Sequence, residues 1–243
     1  MSTLLLKLSA PLQSWGADSR FTRRTTRHEP TKSAVLGLIA AAQGRRRTDD
    51  LEDLLALRFG VRIDQPGVVL RDFQTAHKSK TEAMPLSDRF YLSDAVFVAG
   101  LEAERALLQG IEEALLHPVF PLFLGRRACA PSGKLVLGVV DEGLVEALRR
   151  HPWEASLWYR RQATPEQRRL ELIRDRLASD GNDVTRESVQ DLPRSFSQER
   201  RVHDWREVVH DHPVVIEQPM PSARATKDAP AWSHQPMDVF EVV

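Results

Sequence analysis

The sequence predicts an α+β protein whose first 150 residues alternate strands and helices. The chain has 243 residues, of which 42% are hydrophobic and 28% charged, a composition typical of globular proteins. Short apolar runs separated by turn residues occur in the order strand, helix, a hairpin with a polar insertion, strand, helix, strand. The longest apolar run, residues 34–42, is far shorter than the roughly 20 residues that cross a bilayer.

The net charge and the cysteine count constrain the surface chemistry of the protein and its cellular compartment. The formal net charge is zero, and the one cysteine, Cys129, excludes an internal disulfide framework and fits a reducing compartment. The N-terminal stretch MSTLLLKLSA lacks a basic region and contains Lys7, so it does not resemble a signal peptide. We therefore expect a cytoplasmic protein that makes no contact with membranes.

The first elements are set by apolar periodicity and by capping residues. The segment Thr3–Ser9 predicts a largely buried strand, and a long loop that mixes Gly, Pro, Trp and Arg follows it. Thr31 stands at the N-cap position of a helix that Gly44 closes. A second, short helix is predicted over Leu51–Arg58, because its leucines lie on or near one face.

Two short apolar segments, 61–63 and 68–70, flank Asp64–Gly67, which predicts a hairpin turn. The stretch Gln74–Arg89 is polar and contains one proline, and such an insertion within a compact domain is usually functional or mobile.

The rest of the first half completes a recognisable order of elements. Phe90–Gly100 predicts a strand, Leu101–Leu116 a helix, Lys134–Val140 a strand and Glu142–Arg150 a short helix. This order is close to the βαββαβ of a ferredoxin-like (RRM-like) domain, a fold that also includes RNA-recognition modules. The aromatic pattern that lets those modules stack bases on the sheet is absent, so base stacking on the sheet face is not predicted.

The second half permits two predictions for one segment. Thr164-Pro165-Glu166-Gln167 has the capping signals of a helix that would run to Ala178, whereas Arg168–Asp175 also alternates as a strand would. Propensity favours the helix. A turn is predicted over residues 179–183 and a strand over Trp205–Val209. We divide the chain into a domain over residues 1–150, an extension over 151–212 and a proline-rich tail over 213–243.

Residues that would support catalysis are sparse. His203, His210 and His212 lie near one another but lack the spacing of a known metal motif, and Cys129 beside two arginines is more typical of a core residue. His77, next to Lys78 and Lys80, is the one attractive base for a metal-independent ribonuclease. We predict no catalytic residue, metal site or cofactor, with such an endoribonuclease as the alternative.

Three features of the sequence favour phosphate binding: a basic segment that leads into a helix start, the loop at Gly125, and the insertion around His77–Lys80, a basic arm with the reach to cross a strand. Between residues 20 and 47 there are eight basic residues and one acidic residue. The first part of this segment, Arg20–Arg27, leads into the helix start Thr31-Lys32-Ser33, where backbone N–H groups and the helix dipole favour an anion. Gly125 precedes Arg126 and Arg127, so the backbone there can approach a ligand closely while both guanidiniums bind phosphate.

Several segments resemble one known family, in the family's order. LSAPLQSWG at residues 8–16 and PTKSAVLGLIAAAQG at 30–44 are similar to the N-terminal signature of the CasD family of CRISPR-associated proteins. Four further segments also resemble family motifs: VLRDFQTAHK at 69–78, DRFYLSDAVFVAGLE at 88–102, PLFLGRRACAPS at 121–132 and DLPRSF at 191–196.

The resemblance implies a fold and a function. CasD proteins bind the 5′ handle of the CRISPR RNA in the type I-E surveillance complex Cascade, where they cap one end of the backbone filament. It implies a ferredoxin-like body with an inserted thumb hairpin at about residues 74–89 and a β-rich C-terminal extension, which favours the strand over Arg168–Asp175. The implied partners are CRISPR RNA, the backbone subunit CasC and the large subunit CasA, while CasE cuts the precursor; target DNA is met only through the assembled complex.

The residues and the resemblance together give a set of predicted RNA contacts. Trp15 has two interpretations, a base-stacking platform or a core residue, and the core is favoured. The predicted RNA-binding residues are Gln13, Trp15, Arg20, Arg23, Arg24, Arg27, Thr31, Lys32, Ser33, His77, Lys78, Lys80, Arg126 and Arg127. Arg45, Arg46 and Arg47 follow the helix and are expected to face solvent or nearby acids.

Overall fold

A computed structural model shows a mixed α+β fold with two sheets. It describes residues 1–16, 23–75, 78–79, 86–181, 184–197 and 202–217. The strands are β1 (Ser2–Ser9), β2 (Leu12–Gln13), β3 (Arg23–Arg24), β4 (Arg58–Gln65), β5 (Val68–Gln74), β6 (Ser87–Ser93), β7 (Val96–Ala103), β8 (Val136–Val140), β9 (Arg169–Asp175), β10 (Thr185–Ser195) and β11 (Val202–Val215). The helices are α1 (Lys32–Ala42), α2 (Glu52–Leu55), α3 (Arg105–Leu116), α4 (Leu144–Arg150) and α5 (Leu157–Gln162), with a 3-10 turn at Glu166–Arg168.

The large sheet has seven strands in the order β10-β11-β9-β4-β7-β1-β8, and all its pairings are antiparallel. Strand β1, which lies between β7 and β8, is apolar on both faces, as the run TLLLKL predicts. Leu4, Leu6 and Leu8 pack with α1 and α3, whereas Leu5 packs with α4 on the opposite face. Both faces of the central sheet are therefore covered by helices.

Helix α4 lies close to the sheet because two glycines face it. Gly60 of β4 and Gly100 of β7 are paired in register. A Cβ on Gly100 would lie 2.7 Å from Cδ1 of Leu144, and one on Gly60 would lie 3.1 Å from Cδ1 of Leu148. Any larger side chain at Gly100 would push α4 away from the strands.

The C-terminal strands extend the same sheet rather than form a separate one. Strand β9 pairs with β4, β11 pairs with β9, and β10 pairs with β11. The strand prediction over Arg168–Asp175 is therefore correct, and the helix prediction to Ala178 is wrong. The capping signals are real: Thr164 N–H donates to Gln167 Oε1 over 2.9 Å, but the turn that they cap is the single 3-10 turn. Sheet pairing overrides helix propensity beyond that turn.

A second, four-stranded sheet contains β2, β3, β5 and β6. Strands β5 and β6 form a hairpin whose register runs from Val68↔Ser93 to Gln74↔Ser87. The predicted hairpin between the segments flanking Asp64–Gly67 is wrong, because the chain passes there from β4 in the large sheet to β5 in the small one. The single strand predicted over Phe90–Gly100 likewise divides at Asp94, which has a φ of 56°.

The other helix and strand boundaries predicted from the sequence also differ from the observed ones. Helix α3 begins at Arg105 because residues 101–103 complete β7, and α2 is shorter than Leu51–Arg58. Strand β11 extends well beyond Trp205–Val209 and includes Pro213, where its register with β9 shifts. Half of the predicted thumb segment over residues 74–89, and the tail after residue 217, lie outside the described residues. No helix in the described part of the chain is long and apolar enough to cross a membrane.

A fully buried arginine joins the sheet to the end of α4. Both Arg62 and Asp64 of β4 have side chains that are 0% exposed, and they form two hydrogen bonds of 2.7 and 2.9 Å. The Arg62 guanidinium also donates to the carbonyls of Leu148, His151 and Pro152. These carbonyls at and just beyond the C-terminal end of α4 have no partner within the helix, so Arg62 acts as their cap.

A second buried arginine connects β9, β11 and the loop after β9. Arg174 donates to both carboxylate oxygens of Asp180 over 2.8 and 2.7 Å, and to Asp211 over 2.8 Å. The hydrogen bonds from Arg174 lower the pKa of Asp180 to about 2. The same bonds raise the pKa of Arg174 above its ordinary value.

We expect the Asp180–Arg174 interaction to make unfolding pH-dependent. Because the folded-state pKa of Asp180 is depressed, its contribution is present above about pH 4 and is lost as the pH falls towards about 2. Asp180→Asn should therefore be less stable than the parent protein at neutral pH, and the difference should shrink in that acidic range. Urea unfolding of both proteins across the range measures this.

The control is Asp204→Asn, which removes an exposed pair with Arg194 and should change stability little. A stability difference for Asp180→Asn that stays constant down to about pH 2 would contradict the interpretation.

Candidate nucleic-acid interface

Five arginines gather beside strand β6 of the hairpin. We call Arg23, Arg24, Arg89, Arg126 and Arg127 the arginine cluster. Strand β3 pairs with β6 so that Arg23 lies opposite Asp88 and Arg24 opposite Arg89. The loop 124–127 reaches the same place, since Arg126 Nη2 donates to the carbonyl of Arg24 over 3.0 Å. Three segments distant in sequence thus bring their positive charges together.

The loop that carries Arg126 depends on Gly125. Its φ is +90°, and a Cβ there would lie 1.7 Å from the carbonyl oxygen of Ser14. Leu124 accepts a hydrogen bond from Ser14 N–H over 3.1 Å, and its own N–H donates to Cys129 over 2.7 Å. Only glycine fits this position, but the close approach is not the predicted approach to a ligand. The backbone approached is that of Ser14 within the protein.

Arg126 is held by an aromatic ring as well as by the Arg24 carbonyl. Its guanidinium carbon lies 4.5 Å from the centroid of the Tyr91 ring, within the range of a cation–π contact. Tyr91 is itself buried, so the ring is a fixed support. One nitrogen, Nη1, is shielded from solvent and has no hydrogen-bond partner among the described residues.

The neighbouring arginines on β3 and β6 repeat this arrangement in part. Arg23 lies over the ring of Phe90, with 5.4 Å between the guanidinium carbon and the ring centroid. Nε of Arg89 is also buried and has no partner in the described part of the chain. Buried charged donors without acceptors are costly. Guanidinium groups bind anions that carry several oxygens.

The hairpin adjoining the cluster exposes apolar side chains. Val68 and Phe73 of β5 are 71% and 65% exposed, and Val69, Leu70 and Leu86 are also exposed. A hairpin with this surface buries little of its apolar area against the body of the protein. The arginine cluster therefore lies between a solvated apolar hairpin and the folded core.

The predicted anion site at the start of α1 is filled by the protein itself, so that prediction is wrong. Lys32 N–H donates to the carboxylate of Asp191 over 2.7 Å, and Lys32 Nζ binds Asp175 over 2.9 Å. Thr31 caps the helix by accepting from Ala34, and both Thr31 and Ser33 are buried. A protein carboxylate occupies the place expected for a phosphate, which leaves these three residues without surface for RNA.

Gln13 and Trp15 are also too deeply buried to make the predicted RNA contacts. Gln13 is 0% exposed and donates to the carbonyl of Ala95 over 2.6 Å. Trp15 is 1% exposed and packs edge-on against Phe97 with a centroid distance of 6.4 Å. The core interpretation of Trp15 therefore holds, and stacking on a base requires surface that it lacks. Its indole N–H has no partner among the described residues.

The remaining predicted residues divide into three groups. Arg27 is accessible but engaged, because it forms ion pairs with Glu29 over 2.5 Å and with Glu187 over 3.0 Å. Lys78 is exposed within the hairpin segment. Arg20, His77 and Lys80 lie outside the described residues.

Sequence reasoning missed the residues of β6 that complete the cluster. Arg89 and Tyr91 alternate along one strand with Phe90 between them. A basic residue next to two aromatic residues, DRFY, was the available signal, since arginine and aromatic side chains combine in nucleic-acid sites. The contact of Arg126 with Tyr91 joins segments 35 positions apart in the chain and could not be derived from either segment alone.

The residues considered for metal binding or thiol chemistry lie in surroundings that indicate structural roles. No group of three or more His, Cys, Asp or Glu residues with a metal-binding arrangement occurs within the described ranges. His210 contacts Glu187 over 3.4 Å. Cys129 is buried, and desolvation raises the pKa of its thiol, as expected for a core residue rather than a reactive thiolate.

Comparisons with known proteins identify close relatives. The family model described as CRISPR-associated protein (Cas_Cas5) matches residues 3–209. The CRISPR system Cascade subunit CasD of Escherichia coli (strain K12) is 33% identical over 159 residues, which cover 56% of this chain and 70% of CasD.

Two solved structures are similar in fold and sequence. A chain of a CRISPR RNA-guided surveillance complex superposes with a TM-score of 0.71 and 30% identity, covering 87% of this chain and 91% of that one. A second, described as a Cas protein, has a TM-score of 0.64 and 41% identity, with 90% of this chain and 100% of the other covered.

Proposed function

This chain belongs to the CRISPR-associated Cas5 family, and we propose that it is a non-catalytic RNA-binding subunit of a type I-E Cascade complex. In this role it holds the 5′ handle of the mature CRISPR RNA and caps one end of the backbone filament. Its partners are CRISPR RNA, the backbone subunit CasC and the large subunit CasA, and it meets target DNA only through the assembled complex. Assembly on CRISPR RNA places it in the cytoplasm.

The arginine cluster is the observation that carries this proposal. Nε of Arg89 and Nη1 of Arg126 are shielded donors without acceptors in the described chain, and Arg127 beside them is exposed. Guanidiniums bind phosphate oxygens in pairs through their fixed fork of N–H groups. The RNA backbone therefore fits this cluster, while contacts with splayed bases along the hairpin supply sequence preference.

A ferredoxin-like body explains why RNA would bind at the hairpin rather than on the sheet. The order β4-β7-β1-β8 with antiparallel pairing, and the connections through α1 and α3, support that topology. In RRM-type modules the sheet face opposite the helices stacks bases. Here α4 packs on that face through Leu144 and Leu148, so the face has no room for them.

Assembly with other subunits is supported by the exposed apolar surface. The hairpin side chains Val68 and Phe73, together with further exposed apolar residues elsewhere, expose more apolar surface than is typical of a soluble protein that works alone. Neighbouring subunits that cover these side chains would remove that surface from water. Membership in a surveillance complex also accords with the similarity to a chain of such a complex.

The absence of catalysis is part of the proposal and rests on the chemistry of the cluster. Arginine stays protonated and cannot accept a proton, so guanidiniums bind phosphate without acting as a general base. We expect no cleavage of labelled repeat RNA by the purified protein, whether divalent ions or a chelator are present. Site-specific cleavage that is abolished by His77→Ala would instead establish the alternative endoribonuclease.

The role of the cluster is tested by the salt dependence of RNA binding in reconstituted complexes. Replacing Arg126 and Arg127 together with alanine should remove about two phosphate contacts and lower the slope of log K against log salt by about 1.4. The loss of affinity should be similar for different spacer sequences, because phosphate contacts do not read bases.

Arg45→Ala is the matched control, since Arg45 is engaged by the carboxylate of Asp53 and should leave the slope unchanged. An unchanged slope for the double variant, or an equal fall for the control, would place the RNA elsewhere on the protein.

A further inference from the structure

One face of the second sheet combines aromatic rings with arginines. On β6, Phe90 lies opposite Arg71 of β5. Asp88 lies opposite Phe73 of β5 and, on its other side, opposite Arg23 of β3. Directly opposite residues share a face of a sheet, and so do residues two apart along one strand, so these five side chains lie on the same face. We call Arg23, Arg71, Phe73 and Phe90 the ring–arginine face.

Side-chain contacts agree with this arrangement. Arg71 donates to Oδ1 of Asp88 from Nη2 over 3.0 Å and from Nε over 3.1 Å. The guanidinium of Arg23 lies over the ring of Phe90, as described above. Phe73, Arg71 and Arg23 are all exposed, so rings and guanidiniums are presented to solvent side by side.

The charge of this face remains positive when its acid is counted. Two guanidiniums, those of Arg23 and Arg71, stand against the single carboxylate of Asp88. Among the described residues of β3, β5 and β6, the other acid is Asp72, which pairs with Arg89 and lies on the opposite face. A polyanion is therefore not repelled from the ring–arginine face.

We propose that the ring–arginine face stacks bases of the single-stranded 5′ handle, with Phe73 and the Arg23–Phe90 pair as the stacking surfaces. The inference rests on the proposed function as an RNA-binding subunit. Aromatic rings and guanidinium planes combined with positive charge are the means by which proteins hold single-stranded RNA. Strands β3 and β6 also carry Arg24 and Arg89 of the arginine cluster, and this continuity favours RNA over a protein subunit as the occupant.

The stacking role is tested on the most exposed ring. Phe73→Leu keeps an apolar side chain but removes the ring, and it should weaken binding of CRISPR RNA to the reconstituted complex by about tenfold. Because the change removes no charge, the slope of log K against log salt should stay as in the parent. Phe73→Trp retains a ring for stacking and should bind as the parent does.

A double-mutant cycle links this loss to one base. Handle nucleotides are replaced singly by abasic residues in otherwise unchanged RNA. At one position the abasic residue should weaken binding to the parent by about tenfold but add little to the loss caused by Phe73→Leu, since both changes remove the same stack. Val68→Ala is the matched control: Val68 is exposed on the opposite face of the same strand and should couple to no position.

The outcomes separate this inference from the proposed function. A parent complex whose affinity for RNA does not depend on the handle would contradict the proposed function. If the parent does bind the handle, unchanged affinity for Phe73→Leu, or a loss that is additive with every abasic position, would overturn the stacking role. Loss of another protein subunit instead of RNA from the Phe73→Leu complex would also overturn it, because Phe73 would then be a protein contact.

Discussion

Two carboxylates inside the protein, Asp175 and Asp191, bind several basic groups and thereby determine which basic residues remain available to a ligand. Arg206 donates to both of them, Lys32 Nζ binds Asp175, and the first N–H of α1 binds Asp191. Asp175 also accepts from the Phe59 backbone over 2.9 Å. Removing one partner from such a buried network costs about 3–5 kcal/mol. The network therefore holds the C-terminal strands against α1, and its positive charges are not available to RNA.

The positive charge that remains for a ligand lies where the fold does not neutralise it. Helices cover both faces of the central sheet, and Arg62 and Arg174 are buried in ion pairs. Beside strand β6 of the hairpin, in contrast, Arg89 and Arg126 retain donors without acceptors among the described residues. The segment DLPRSF, which resembles a family motif, also contacts α1. Asp191 binds the start of the helix, and Phe196 lies 3.5 Å from the position where Gly37 would carry a Cβ.

The sequence analysis succeeded where local signals decide and failed where distant partners do. Apolar periodicity located β1, α1 and α3, whereas Gly125 marks a close approach to Ser14 rather than to the predicted ligand. Capping signals at Thr164 were real but led to only one turn, because β9 is stabilised by its neighbours β4 and β11. The start of α1 has the same pattern whether its anion is a phosphate or Asp191. The contact between Arg126 and Tyr91 depends on the tertiary fold.

The central claim is that RNA binds at the arginine cluster and not at the start of α1. The most direct measurement is crosslinking of 4-thiouridine-substituted CRISPR RNA in the assembled complex, followed by peptide mapping. Our account predicts adducts in residues 23–24, 87–93 and 124–127, the segments that build the cluster. Adducts concentrated in residues 31–35, where Asp191 already occupies the helix end, would contradict it.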